Sequence, residues 1–324
     1  MLDEFSLIDT YFRSQRTRRD DVVLGIGDDA AVLSPGVDRE LVITTDLVVA
    51  DVHFSADTDP GAVGHKALAV NLSDLAAMGA EPAWATLTLC IPRLDTDWLK
   101  RFSRGMFALM DQWSVQLVGG DTVRGPLSIG IQVCGFVERG GAIRRAGARP
   151  GDDVYVTGTL GDAAAALEAI QDRITLAPEA QRRLQRRLDF PTPRVREGWA
   201  LRGIASAAID VSDGLAADLA HLTRASGVAA QVDLQDLPLS AECSELTRRG
   251  LGWDLIVGGG DDYELCFTAP AGADQHITSV FQALDTSVTR IGRIAAGRGV
   301  TFQDGEGREF DPRARGYDHF RADE

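Results

Sequence analysis

The chain is 324 residues long, more than one hydrophobic core ordinarily serves, so two domains are expected, each able to bury an interior. Its 33 Lys and Arg against 48 Asp and Glu leave a net charge of −15, which argues against a surface built for nucleic-acid phosphates or anionic lipid. Most of those acids then belong to an ordinary solvated surface, and the informative ones are those set among apolar residues.

The N-terminus MLDEFSLIDTYF is acidic and has no basic segment followed by an apolar one. No stretch reaches about 18 uninterrupted apolar residues, so a soluble cytoplasmic protein is expected, with no membrane partner. From Val22 onward, short β-rich runs alternate with helical segments. VVLGIG (22–27), LVITTDLVVADVHF (41–54) and WATLTLCI (84–91) read as strands, and helices are expected from Gly61 to Met78 and from Thr96 to Trp113. Asp95 can cap the second helix, where Trp98, Phe102 and Leu109 recur at helical spacing. Strands VQLVGG (115–120) and LSIGIQVCGFVE (127–138) follow, and a Gly- and Arg-rich connector over 139–153 then breaks the pattern. This predicts an α/β (α+β) fold with domains over 1–145 and 146–324. The second domain opens on VYVTG and contains an alanine-rich helix over 162–170. Its basic run QRRLQRRL (181–188) carries Leu184 and Leu188 at i, i+4, so it reads as a helix with a buried edge and a solvated basic face rather than a nucleic-acid patch. Cys90, Cys134, Cys243 and Cys266 are far apart, with no C-x-x-C and no adjacent His; they read as small hydrophobes in a reducing compartment, not as zinc or redox groups.

Two nucleotide signatures fail. Gly25-x-Gly27-x-x-Ala30 follows a strand, but Pro35-Gly36 leaves no room for the helix a dinucleotide fingerprint needs. The only lysines, Lys66 and Lys100, lie in no phosphate-binding loop. What recurs instead is acid at strand ends and on helix faces. Asp28 and Asp29 are adjacent in a turn between apolar strands, where like charges near a core want a cation or donors. Thr44, Thr45 and Asp46 interrupt a strand that otherwise reads as buried on both faces, and their hydroxyl and carboxylate oxygens are the hard ligands Mg²⁺ prefers. His53, two residues from Asp51 and on the same strand face, is a candidate substrate contact. Asn71 and Asp74 share a helix face beside Leu68, Leu72, Leu75 and Met78. Gly119-Gly120-Asp121-Thr122 closes a strand, with glycines that admit a phosphate and an acid that can bind metal. Asp210, Ser212 and Asp213 carry a strand into a helix, with Ser212 or Asp213 as an ordinary N-cap, and Gly258-Gly259-Gly260-Asp261-Asp262-Tyr263-Glu264 repeats the theme. Together these sites point to several Mg²⁺ ions bridging a polyphosphate.

The set GIGDDAAV, TTDLVVADVHF, GHKALAVNLSDLAAMGAEP, GGDT, DVSDGLAADL, GGDDYELCFT and GYDHF resembles the thiamine-monophosphate kinases nearly end to end. These belong to the superfamily of aminoimidazole ribonucleotide synthetase, selenophosphate synthetase and a hydrogenase-maturation protein. The resemblance implies a two-domain aminoimidazole ribonucleotide synthetase-like fold, the N-terminal domains pairing into a barrel-like homodimer with ATP at the interface. It implies metal ligation by Asp29, Thr44, Thr45, Asp46, Asp74, Asp121, Asp210 and Asp213. ATP would be met by Arg104, Gly120, Asp121, Arg145 and Ser212, and thiamine monophosphate by His53, Asp261 and Tyr317. Two positions depart from the family pattern: Asp261 is one methylene shorter than the Glu of the Gly-Gly-Glu-Asp-Tyr form, and Arg104 stands where some relatives carry an aromatic. The reaction expected is transfer of the ATP γ-phosphoryl to thiamine monophosphate. The alternatives are another ATP-using member such as aminoimidazole ribonucleotide synthetase, or a non-catalytic Mg-nucleotide sensor. The selenium and hydrogenase branches would want reactive cysteines near a terminus, whereas the first here is Cys90 and the last Cys266.

Overall fold

A computed structural model describes residues 4–13, 15–249 and 252–312. It divides the chain into two compact units, Met1–Leu75 with Ala80–Ala142, and Ala76–Gly79 with Ile143–Glu324. Among the described residues no helix is long and apolar enough to cross a membrane.

The first unit opens with helix α1 (Glu4–Tyr11) and a two-stranded antiparallel ribbon, β1 (Val22–Leu24) and β2 (Val32–Leu33). Then come β3 (Arg39–Val49), α2 (Pro60–Ala77), β4 (Glu81–Ile91), α3 (Thr96–Trp113), β5 (Gln116–Arg124) and β6 (Ser128–Glu138). Four of these strands form a sheet in the order β3-β6-β4-β5, with β4 and β5 parallel and the other pairs antiparallel. Along β3 exposure alternates as the pleat requires, with Val42, Thr44, Asp46 and Val48 toward the covered face and Leu41, Ile43, Thr45 and Leu47 toward the open one. The covered face is lined by Ile129, Ile131, Val133, Ala85, Leu87 and Leu89, all buried. Helix α3 forms as expected: the Asp95 carboxylate accepts the Trp98 N–H, and Leu99, Phe102, Met106, Leu109 and Met110 make one buried stripe. Among the described residues the other face of the sheet is covered at one end, where Trp84, Val118 and Phe136 pack under Val22, Ala31 and Leu33 of the ribbon and its turn. Elsewhere on it Ile43, Leu47 and Val123 stay 52%, 57% and 46% exposed.

Two expected boundaries move. The strand expected to run to Phe54 ends at Val49, because Asp51 adopts a left-handed backbone (φ 61°) and its carboxylate caps a turn by accepting the Ala56 N–H. Asp51 and His53 therefore share no strand face. Conversely, the strand expected to close at Gly120 continues to Arg124 beyond a register shift beside Ala85 and Thr86.

The second unit runs β7 (Asp153–Thr157), α4 (Asp162–Ile170), α5 (Pro178–Asp189), α6 (Val195–Ala200), β8 (Ala207–Val211), α7 (Leu215–Ser226) and β9 (Ala229–Asp233). It continues with α8 (Ala241–Arg248), α9 (Trp253–Gly258), β10 (Glu264–Ala269), α10 (Asp274–Ala283), β11 (Val288–Ala295), β12 (Gly299–Gln303) and β13 (Glu309–Phe310). Its described strands form one mixed sheet in the order β13-β12-β9-β11-β7-β10-β8. The alanines of α4, with Leu184 and Leu188 of α5 at 2% and 8% exposed, join Val154, Val156, Ile209, Val211, Leu215 and Leu219 in one core, which leaves Arg182, Arg183 and Arg186 of α5 to the solvated side. All four cysteines are free.

Candidate functional site

The expected acids gather separately in each unit. In the first, Asp29 lies in the turn joining β1 and β2, its N–H donating to the Asp28 carboxylate at 2.9 Å. Both acids are exposed, so the expected crowding of charge against a core does not occur, and water screens the pair. On the covered face of the sheet, β3 and α2 bring Thr44 and Asp74 into direct contact, the Thr44 hydroxyl donating to the Asp74 carboxylate. Asp46 lies two residues along the same face, half-buried.

Register sorts the remaining ligands. Asp46 is aligned with Ile131, Leu87 and Gly120 across the sheet, whereas Asp121 falls in the next row, with Thr88, Gly130 and Leu47, on the open face. Two strands separate β3 from β5, so Asp46 and Asp121 stand roughly 14 Å apart at the usual strand spacing. Thr45 also lies on the open face and donates to the Ile131 carbonyl at 3.3 Å. Apart from Asp29 in the β1–β2 turn, the first unit thus divides its expected ligands into Thr44, Asp46 and Asp74 on one face and Thr45 and Asp121 on the other.

The two glycines expected to admit a phosphate differ. A Cβ on Gly120 would lie 1.9 Å from the Leu87 carbonyl oxygen, so this glycine is required by the approach of β4 to β5; a Cβ on Gly119 meets nothing described within 4 Å. His53 is fixed at the end of β3: its Nδ1 accepts the Val49 N–H at 3.1 Å and its own N–H donates to the Val49 carbonyl. Arg104 is exposed on α3.

In the second unit β8 delivers Asp210, 4% exposed, to a turn that enters α7. Neither Ser212 nor Asp213 caps that helix; Gly214 takes the N-cap position with no side-chain bond. Instead the N–H groups of Ser212 and Asp213 both donate, at 3.0 Å, to Asp218 on the first turn of α7. Asp218 is 3% exposed. Burial chiefly, and then the like charge of Asp213, push its carboxyl up to about 7, against the two N–H donors and the Arg145 guanidinium. Arg145 itself is exposed, and its carbonyl accepts the Ser226 hydroxyl.

The glycine loop lies against this turn. Asp261 N–H donates to the Ser212 carbonyl and Tyr263 N–H to the Val211 carbonyl, each at 2.8 Å. A Cβ on Gly260 would meet that Ser212 oxygen at 2.4 Å, so only glycine allows the contact. The three acids of the loop have different surroundings. Asp261 is half-exposed and accepts the Tyr263 hydroxyl at 2.9 Å. Asp262 is buried and accepts the Gly161 N–H; desolvation holds its carboxyl well above the usual range. Glu264 is fully buried at the start of β10, clasped by both ends of the Arg194 guanidinium at 2.6 and 2.7 Å, by Arg187 at 2.7 Å and by the Thr157 hydroxyl at 2.6 Å.

Asp218, Arg187 and Arg194 are not singled out by the sequence, and Tyr263 reads there only as part of the glycine loop, without its bond to Asp261. Asp218 left a trace there as an acid on the buried stripe formed by Leu215, Leu219 and Leu222. Tyr317 lies outside the described residues.

Among the described residues no group of three or more His, Cys, Asp or Glu could hold a metal ion unaided. The donors present are carboxylates and hydroxyls, Thr44 paired with Asp74, and Asp210 and Asp213 three residues apart across the turn into α7. That set fits Mg²⁺, which takes one or two carboxylates and completes its octahedron with phosphate and water.

The AIR synthase related protein family matches twice, its N-terminal domain over residues 27–137 and its C-terminal domain over 149–305. A thiamine-monophosphate kinase of Salmonella typhimurium is 48% identical, the alignment covering 98% of each chain. A solved thiamine-monophosphate kinase from Stenotrophomonas maltophilia has a TM-score of 0.87 at 49% identity, covering 95% of this chain and 98% of that one. AaThiL complexed with AMPPCP and TMP gives 0.78 at 32% identity, covering 98% and 97%.

Proposed function

The chain belongs to the AIR synthase-related family and, within it, to the thiamine-monophosphate kinases, and from that premise we propose how its own residues serve the ATP-dependent phosphorylation of thiamine monophosphate. An oxygen of the acceptor phosphate attacks the γ-phosphorus of ATP, the bond to the β-phosphate oxygen breaks, and thiamine diphosphate and ADP are formed. The attacking phosphate is already anionic near neutral pH, so no strong base is required; what must be overcome is repulsion between two phosphates.

The observation that carries this reading is the second unit's pair of stitched loops. The main-chain bonds from Asp261 to Ser212 and from Tyr263 to Val211 tie the glycine loop to the turn that carries Asp210, Ser212 and Asp213, which supports a reading in which metal-ligating oxygens would stand beside a substrate contact. Asp29, Thr44, Thr45, Asp46, Asp74, Asp121, Asp210 and Asp213 would hold Mg²⁺. Bound there, Mg²⁺ ions would neutralise phosphate charge and orient the in-line displacement. Gly120, Arg145, Ser212 and Arg104 would border ATP. His53, Asp261 and Tyr317 would border thiamine monophosphate; a carboxylate suits its cationic thiazolium and amino-bearing end and would repel its phosphate.

The N-terminal domain over 1–145 is assigned to ATP, Mg²⁺ and dimerisation, and 146–324 to the C-terminal domain. The open apolar sheet face with Ile43, Leu47 and Val123 supports pairing of two copies into a barrel-like homodimer. Four free cysteines suit the cytoplasm.

One assay tests the reading: formation of thiamine diphosphate from thiamine monophosphate and ATP, abolished by EDTA and restored by Mg²⁺. Asp46→Ala should lower kcat on the order of 10²-fold, as loss of one group stabilising transition-state charge does. Near-normal turnover of Asp46→Ala at saturating Mg²⁺ would remove that residue from the mechanism. ATP binding with no product would make the chain a sensor instead.

A further inference from the structure

We propose that Tyr263 is a positioning residue for the acceptor, its hydroxyl holding the Asp261 carboxylate in the orientation that meets thiamine monophosphate. The inference deepens the reading above and rests on Asp261 as a substrate contact.

Asp261 and Tyr263 are both non-glycine residues in the left-handed region, at φ 69° and 50°. Such conformations are costly for L-residues, and they persist where surrounding contacts impose them, often at binding sites. Here the contacts are visible. Asp261 N–H is bonded to the Ser212 carbonyl, Tyr263 N–H to the Val211 carbonyl, and between them Asp262 is buried and tied to Gly161 N–H. Glu264 then anchors the strand that follows, through Arg187 and Arg194. The loop backbone is therefore fixed without any help from the Tyr263 hydroxyl.

What that hydroxyl adds is direction. It donates to Asp261 Oδ1 at 2.9 Å from a ring only 8% exposed, so water competes weakly for the bond. A phenol donor engages one carboxylate oxygen and fixes the side-chain torsions. An aspartate side chain is short and has little reach with which to find its ligand, which makes a fixed direction matter more.

The test is a kinetic cycle on the full-length enzyme. Tyr263→Phe removes one oxygen and keeps the ring, so thermal unfolding should stay near wild type. KM for thiamine monophosphate should rise about tenfold, the scale of one hydrogen bond to a charged group, while KM for ATP and kcat stay within about threefold. In an Asp261→Ala background the same substitution should add nothing, because its effect runs through a carboxylate no longer there. The proposal is overturned if Tyr263→Phe leaves KM for thiamine monophosphate unchanged while Asp261→Ala raises it, or if the two effects simply multiply, which marks a general packing role. If Asp261→Ala itself leaves that KM unchanged, the underlying assignment of Asp261 falls, and this proposal with it.

Discussion

Single carboxylates in this chain acquire different properties from their immediate neighbours. Asp21 is chelated by the Arg19 guanidinium at 2.9 and 2.8 Å and also accepts the Trp84 indole N–H at 2.9 Å. The Arg19 bonds first, then Trp84, outweigh partial burial and hold its carboxyl below the ordinary aspartate value. A depressed native value means that the ionised form stabilises the fold above the unfolded-state value and ceases to do so as the pH falls through the native one. Asp21→Asn should therefore cost about 1–2 kcal/mol at pH 7, and the variant and wild type should begin to draw together only as the pH falls below about 4, toward the native value of Asp21. Thermal unfolding of both proteins across pH 3 to 7 checks this, and a gap that persists undiminished at pH 3 would mean that the charge is not what matters. Asp218 and Asp262 move the other way because burial prevails over their donors. None of these environments could be read from the sequence: the partners of Asp218 are backbone N–H groups, and Trp84 lies 63 residues from Asp21.

Whole elements were readable where their boundaries are set locally. Helix α3 follows from the Asp95 cap and its apolar stripe, and α4 from its alanines. Boundaries set by contacts distant in sequence were not. The strand through Gly119 and Gly120 reads as ending there because glycine usually breaks strands, yet β5 continues since β4 comes so close that only glycine fits at 120. Gly120→Ala should destabilise by about 2–4 kcal/mol, because the new methyl would overlap the Leu87 carbonyl, while Gly119→Ala should change stability far less. Denaturant midpoints of the two variants decide it, and equal midpoints would refute the close-approach explanation. The same limit applies to the site: glycines followed by acids mark the loop at 258–264, but only the tertiary fold separates Asp261 on the surface from Asp262 and Glu264 inside.

At the scale of the whole molecule the open sheet face of the first unit is the feature that isolated elements do not explain. A strand alternating Leu41, Ile43 and Leu47 with Val42, Thr44 and Asp46 has one face more apolar than solvent tolerates, which is why pairing of two copies is proposed there. Ile43→Asp should halve the particle mass in sedimentation equilibrium and weaken ATP binding; an enzyme that is already monomeric before substitution would end that proposal. The second unit holds a different whole-molecule property in Glu264, which gathers Arg194, Arg187 and Thr157 across 70, 77 and 107 residues of chain. A carboxylate is costly to withdraw from water before its guanidinium partners are in place. During synthesis both arginines leave the ribosome first and wait, solvated, for an acid encoded far downstream. The closing of this unit is thus timed by the chain itself: until β10 docks between β7 and β8, β8 has no neighbour in the described sheet, and every earlier stage must remain soluble without that link.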